Sequence, residues 1–424
     1  MDLSLHLEGL LRELAPQILA TLTRRYGHFD LAEDAVQEAL LDAASAWSSG
    51  TVPDNPAGWL TTVATRRMTD LLRSEQARHR REQTEAVRTL PLASRTSESP
   101  ASAGEQDDSL VLLFLCCHPA ITPPAQVTLT LRAVGGLSTA EIARSLLLPD
   151  ATITRRITRA KQSILAAGGR FALPDPAERA ARLDVVLHVV YLIFTEGHTA
   201  TAGDALVRSD LCAEAIRLGR LLRRALPDEP EVGGLLAQML LTDARRDTRV
   251  GPEGQLVPLA EQERSRWDRT AIAEGIDLVT ESLSRHRPGP YQLQAAINAV
   301  HAEAASYQAT DWPQIVALYG VLDRLADDPM VTLNRAVAVA QVQGPAAALE
   351  LLELAAADAR LTGHHRVHAV RGHLLQASGR LADAAEEYRT AARRTLSTPE
   401  RQYLLRQAAL ASQAGAARDT KPGE

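Results

Sequence analysis

The sequence predicts an all-α protein with more than one domain, and three observations carry that prediction. Aromatic residues make up only 4% of the chain while Ala, Leu and Arg are abundant, a composition that favours helices over sheets. Apolar residues recur at three-to-four spacing from the first segment onward. A length of 424 residues exceeds the ~100–200 residues of an ordinary single domain. The apolar share of 45% beside 23% charged residues is that of a soluble globular protein. Three cysteines, with Cys116 and Cys117 adjacent, build no regular disulfide framework and fit the cytoplasm. Asp2, Glu8 and Glu13 interrupt the opening MDLSLHLEGLLREL before a signal peptide core forms, and no stretch approaches the roughly 20 apolar residues of a membrane span. A cytoplasmic protein with no membrane partner is expected.

Leu10, Leu11, Leu14, Ile18 and Leu22 mark a first helix that ends at Gly27 and His28. A second helix is expected from about Leu31 to Trp47, with Asp30 as its N-cap and Glu33 and Asp34 facing the positive end of the helix dipole. After a loop over 48–56, a third runs from about Ala57 to Glu85 and sets Arg66, Arg67, Asp70 and Arg73 on one face. Residues 1–88 are therefore expected as a first helical domain. The Pro-, Ser- and Gly-rich residues 89–109 read as a flexible linker, and 110–170 as a second helical domain. A large helical extension is expected over 181–412, with a disordered tail at 413–424. Within the extension, Ile315, Tyr319 and Leu322 align with Ala348, Leu352 and Ala355, then with Ala384, Tyr388 and Ala391. The offsets bracket the ~34-residue tetratricopeptide period, so stacked helix pairs are expected, with a looser helical array as the alternative.

The formal charge of −6 conceals an uneven distribution. Arg66 to Arg81 contains six arginines against Asp70 and Glu75, a local balance of +4. Residues 151–170 contain four arginines and Lys161 with no acid, a balance of +5. Either segment by itself describes a solvated helix face as well as a nucleic-acid surface.

The segment from Leu137 to Ile164 decides between those readings. Ser138 with Glu141 three residues on forms a capping box, Ile142, Ala143 and Leu146 face inward, and a turn over 147–150 leads to a second helix that buries Ile153, Ile157 and Ala160. That is helix-turn-helix spacing. It leaves Thr152, Thr154, Arg155, Arg156, Arg159 and Lys161 outward for bases and phosphates. A purely structural helical hairpin is the bland alternative. The segment resembles the domain of sigma-70-type factors that reads the −35 promoter element, departing from it at Leu147, where glycine often eases the turn.

The amino-terminal segment independently resembles the other conserved sigma domain. AEDAVQEALLDAASAW, from Ala32 to Trp47, is similar to the acidic pattern with which such factors grip the beta-prime clamp of RNA polymerase, and the resemblance implies core-polymerase contacts at Asp34, Gln37 and Glu38. By itself this is an ordinary exposed acidic face. Trp59 to Arg81 is similar to the −10 reading helices, which implies DNA contacts at Thr62, Arg66, Arg67 and Arg73, with Asp70 as an organiser and Trp59 in the core. Many small sigma factors carry Asn where this chain has Arg66, so the −10 base preference does not carry over.

Together the two segments resemble a sigma factor of the extracytoplasmic-function type. LLFLCCHPAIT, YLIFTEGHTATAGD and the carboxyl-terminal repeats further resemble a subgroup with a tetratricopeptide-like extension. The implied partners are core RNA polymerase, through beta-prime and beta, promoter DNA, and a protein held by the extension. The expected fold is thus two small helical sigma domains, a flexible linker and a TPR-like all-α domain.

Rival readings are a helix-turn-helix regulator that acts without polymerase, and a helical-repeat scaffold whose basic segments are incidental. Cys116, Cys117 and His118 read as core, because neighbouring residues on a helix point in different directions. His364, His365 and His368 lack the acid of a metalloprotease helix. Glu196, His198 and Asp204 read equally as a helix-ending loop or the lining of a pocket. With no phosphate loop or nucleophile-base pair, neither enzyme activity, metal nor cofactor is expected.

Overall fold

The computed structural model describes residues 2–48, 52–85, 105–169 and 171–419. Among these, regular structure is nearly all helical, as the composition predicts. Two compact units are present, Met1–Val190 and Tyr191–Glu424. Among the described residues, no helix is long and apolar enough to cross a membrane.

The first unit begins with α1 (Asp2–Tyr26), α2 (Phe29–Ser48) and α3 (Pro56–Glu85), which pack on one another. The apolar stripe of α2, Ala32, Val36, Ala39 and Ala43, is fully buried there, and Trp47 rests on Trp59 of α3 with ring centroids 5.2 Å apart. α2 begins at Phe29, earlier than its capping pattern predicts, so Asp30 sits in the first turn rather than at the N-cap. The second group is α4 (Glu105–Cys116), α5 (Pro123–Ala133), α6 (Thr139–Leu146) and α7 (Asp150–Ala166). α4 already occupies 105–109, the end of the expected linker, because Leu110 to Leu115 is an unbroken buried run that the helix carries into the core. The rest of that linker, 89–104, lies outside the described residues.

α1 packs on α4 and α5, so the two helical groups share one unit rather than standing apart. α8 (Pro176–His198) opens in the same unit. Its Arg182 donates to the Phe114 carbonyl at 2.8 Å and lies over the Phe114 ring. This contact accounts for a unit boundary later than the expected start of the extension at 181.

The second unit continues with α9 (Ser209–Ala225), α10 (Pro230–Asp243), α11 (Arg269–Ser284), α12 (Pro290–Glu303), α13 (Trp312–Leu325), α14 (Pro329–Gln343), α15 (Pro345–Ala356), α16 (His365–Ala377), α17 (Leu381–Arg394) and α18 (Thr398–Asp419). α10 lies among α9, α11 and α12, closest to α12 at Gly234, where any side chain would meet the Gln292 backbone nitrogen. From α13 onward each helix packs chiefly on its sequence neighbours. The three aligned triplets fall on α13, α15 and α17, every second helix, and eight of their nine residues are buried, with Tyr319 half-buried.

Two short strands, β1 (Ala202–Gly203) and β2 (Leu396–Ser397), pair in parallel, with Ala202 opposite Leu396 and Gly203 opposite Ser397. Thr398 Oγ1 donates to Asp204 Oδ1 at 2.8 Å. The start and end of the second unit are thereby fastened together. α18 extends through Asp419, so residues 413–419 of the expected disordered tail are helical, with Ala414, Ala416 and Ala417 favouring that state; 420–424 lie outside the described residues.

Candidate functional site

α6 and α7 form the expected helix-turn-helix. Ser138 accepts the Glu141 backbone N–H at 3.2 Å, while the Ser138 N–H donates to Glu141 Oε2 at 2.7 Å, so the capping box is complete. Leu147 closes α6 with φ 52, in the left-handed region that glycine usually occupies. α7 buries Ile153, Ile157, Ala160 and Ile164. Thr154, Arg155 and Arg159 are exposed, with Thr152 and Arg156 half-buried beside them. Among the described residues, the Arg155 and Arg159 side chains make no hydrogen bond or ion pair, which leaves two uncommitted cations on the exposed face of α7. Arg156 is committed in part, donating to Thr128 Oγ1 of α5 at 3.4 Å.

Lys161 departs from the outward set. Its ammonium lies 2.6 Å from Glu33 Oε2 and 3.0 Å from Asp34 Oδ1, both on α2, and its side chain is only 10% exposed. Arg132 of α5 donates to the other Glu33 oxygen at 2.7 Å. In this arrangement Lys161 faces α2 and not DNA, because Glu33, itself buried, requires compensation that water cannot supply. Burial alone would raise the Glu33 carboxyl, but Lys161 and Arg132 outweigh it and hold that carboxyl below its usual range. Burial is also the largest influence on Asp34. It leaves that carboxyl above its ordinary value despite Lys161, and the neighbouring Glu33 charge adds to the rise.

The same side of α2 engages α3. Arg67 donates to Asp42 at 2.8 Å and approaches Glu38 at 3.5 Å, while Asp70 lies 3.7 Å from Arg73. These groups are well exposed, so solvent screens the pairs and they exchange readily. Arg66 and Thr62 are exposed, and the Thr62 hydroxyl donates to the Gly58 carbonyl. Gln37 is half-buried.

The predicted polymerase-facing and DNA-facing residues are therefore partly bound to each other: Asp34 to Lys161, and Glu38 to Arg67. Glu33 and Arg132, the centre of this network, were not among the expected site residues. The signal for Glu33 is its place on the buried side of α2 between Ala32 and Val36, where a carboxylate demands a partner. Arg132 is 99 residues away and carries no local signal.

The remaining flagged residues have ordinary roles. Cys117 is a buried thiol pushed up to about 12 by burial, with Thr130 Oγ1 3.8 Å away. His364 Nδ1 accepts the Arg366 N–H and caps α16, and His368 pairs with Glu387 at 2.6 Å. Glu196 accepts the Thr201 N–H at 3.2 Å.

The helix-turn-helix and the preceding helices coincide with known families. Residues 10–78 match sigma-70 region 2, residues 112–164 match sigma-70 region 4, and residues 182–283 match a family of unknown function, DUF6596. The uncharacterized protein R00370 of Rhizobium meliloti is 40% identical over 393 residues, 92% of each chain. This chain belongs to the same family as that protein. It carries sigma-70 region 2 and region 4 domains, which are non-catalytic, followed by the DUF6596 extension. The ECF RNA polymerase sigma factor SigK of Mycobacterium ulcerans is a distant relative, 28% identical over 148 residues, 35% of this chain and 75% of that protein. No solved structure matches the chain.

Proposed function

We propose that the protein is an extracytoplasmic-function sigma factor that binds core RNA polymerase in the cytoplasm and directs initiation at specific promoters. The observation that carries this reading is the tandem order of region 2 and region 4, with the exposed basic face of α7 on the second. Asp34, Gln37 and Glu38 would meet the beta-prime clamp, and region 4 the beta subunit. Thr62, Arg66, Arg67 and Arg73 would follow the −10 strand, while Thr152, Thr154, Arg155, Arg156 and Arg159 read the −35 duplex. Lys161 joins that set only after leaving Glu33 and Asp34. Both engagements thus exchange internal ion pairs for pairs with the partner. Alternation of the repeat triplets on α13, α15 and α17 supports a tetratricopeptide-like array in the extension, which we assign a regulatory role toward a bound protein.

Run-off transcription with purified core polymerase tests this. The full chain is expected to give promoter-specific transcripts. Arg155→Ala with Arg159→Ala should reduce them about tenfold or more while leaving core binding intact, and Glu38→Lys should weaken core binding. Duplex DNA binding that is indifferent to core polymerase would instead establish a regulator acting alone.

A further inference from the structure

Among the described residues, the second unit holds two arginines, Arg245 and Arg249, that form no ion pair with a carboxylate. Arg245 follows α10, and Arg249 follows a 3-10 turn over Arg246–Thr248. Arg245 is half-buried. Among the described residues its guanidinium makes no hydrogen bond and no ion pair. Arg249 donates only to neutral oxygens, the His198 carbonyl and Thr199 Oγ1, the latter at 2.9 Å. Arg366, in the first turn of α16, stands exposed within electrostatic reach of both Arg249 and His198.

Nearby arginines are held in place: Arg246 by Asp243, and Arg264, like Arg249, by neutral oxygens, the His301 and Ala304 carbonyls, whereas Arg245 has no such partner among the described residues. The acid that faces Arg249 and Arg366 is Glu400, which is already held by Thr395 Oγ1 at 2.9 Å and lies 3.3 Å from His365.

Neutral polar groups complete the surround. His198 ends α8, His301 lies near the end of α12, and Tyr319 projects from α13, each within electrostatic reach of Arg245. His198 Nδ1 and His301 Nδ1 are buried with no hydrogen-bond partner. Burial and the surrounding arginines hold both imidazoles neutral, His301 at about 4. Burial lowers Arg245 to about 10, and burial with Arg245 beside it lowers Arg249 to about 9. Enclosed like charges repel one another and forgo hydration, and folded proteins otherwise pair such groups.

We propose that this interior is a binding site for a small organic oxyanion, a carboxylate or a phosphate ester, neutralised by Arg245 and Arg249 and met at the rim by Arg366. His198 and His301 supply the open hydrogen-bonding atoms. Tyr191, beside Tyr319 and tilted against Tyr291 at 5.6 Å, provides an aromatic wall for the ligand body.

The test uses the full chain with inorganic phosphate and citrate as probes, each against chloride at matched ionic strength, read by titration calorimetry and by thermal unfolding. At least one probe should bind saturably and raise the Tm by at least about 2 °C. Phosphate alone binding assigns the phosphate class, and citrate alone the carboxylate class. Arg245→Met should abolish binding and raise the anion-free Tm, since it removes an uncompensated cation. Arg366→Ala, at an exposed position, should fold normally and weaken binding about tenfold, roughly the value of one charge-assisted contact. Arg224→Met, on the surface of α9, should match the parent chain. Absence of saturable binding by both probes would overturn the site. So would unchanged affinity in Arg245→Met and Arg366→Ala, or a lower anion-free Tm in Arg245→Met, which would make that arginine structural.

Discussion

The two units bury positive charge in opposite ways. In the first, Lys161 and Arg132 converge on Glu33, and the carboxylate accepts from both within 2.7 Å. In the second, Arg245 and Arg249 lie within each other's fields, and Arg249 donates to neutral oxygens. A compensated cluster stabilises one arrangement of its elements, here α2 against α5 and α7. An uncompensated one opposes the fold that contains it and gains from any anion that enters. The same residue type thus acts as a clasp in one unit and as a receptor in the other, and the difference lies in whether the chain supplies the counter-charge.

The strongest way to break that contrast is to turn the first cluster into a copy of the second. Glu33→Gln keeps the shape of the side chain and removes its charge, leaving Lys161 and Arg132 beside a neutral amide. We expect a loss of about 3 kcal/mol in the first unit, the range for removing one partner of a buried ion pair. Urea denaturation followed by fluorescence of Trp47 and Trp59 would measure it. Arg245→Met should move the second unit in the opposite direction. A change of less than about 0.5 kcal/mol in Glu33→Gln would show that the clasp is no more valuable than a surface pair.

Acid should separate the units by the pH at which each weakens. His301 has a folded value of about 4 against an ordinary 6.5, so below 6.5 the unfolded chain takes up a proton that the folded unit refuses. Its contribution is complete above 6.5 and is lost as the pH falls towards 4. The folded carboxyl of Glu33 lies below its ordinary 4.5, so its contribution is complete above 4.5 and is lost only as the pH falls further. Hydrogen exchange across a pH series should show the second unit loosening first, between about 6.5 and 4, with the α2 to α7 contacts retained until below about 4.5. Simultaneous loosening of both units would contradict these assignments.

What the sequence disclosed follows the range of the interactions. The capping box at Ser138 and Glu141 spans three residues and is readable in the chain, as is the alternation that buries Ile153, Ile157 and Ala160 on α7. The acidic pattern on α2 is legible, but the burial of Glu33 within it is not. Asp34 stays at the surface, yet the fold brings Lys161 to it across 127 residues. The interior of the second unit was still less visible, because Arg245, Arg249 and Arg366 are scattered and meet only when α16 is carried back towards the end of α8. His198 stands near Glu196 and Asp204 in the sequence, yet these acids settle on Thr201 and Thr398 and leave the histidine among arginines. The end of the expected linker is helical because the acidic residues before Leu110, which resemble solvated chain, also suit the first turns of a helix.

The smallest expected effect separates charge from backbone in the first unit. Leu147 holds φ 52 at the turn between α6 and α7, and its side chain is 42% exposed, so little packing compensates the strain of a left-handed leucine. Leu147→Gly removes a cost of about 1 to 2 kcal/mol and restores part of it through the greater freedom of glycine in the unfolded chain. A net gain of up to about 1 kcal/mol is expected in urea denaturation. Because the substitution leaves Glu33, Arg132 and Lys161 untouched, it should not alter the acid dependence of the clasp. If the gain arrives with a shifted acid profile, the turn is setting the angle at which α7 presents Lys161 to α2, and part of the stabilisation credited to charge belongs to the backbone. If stability falls instead, the leucine is contributing packing that outweighs its strain, and the departure from glycine at this turn is itself stabilising.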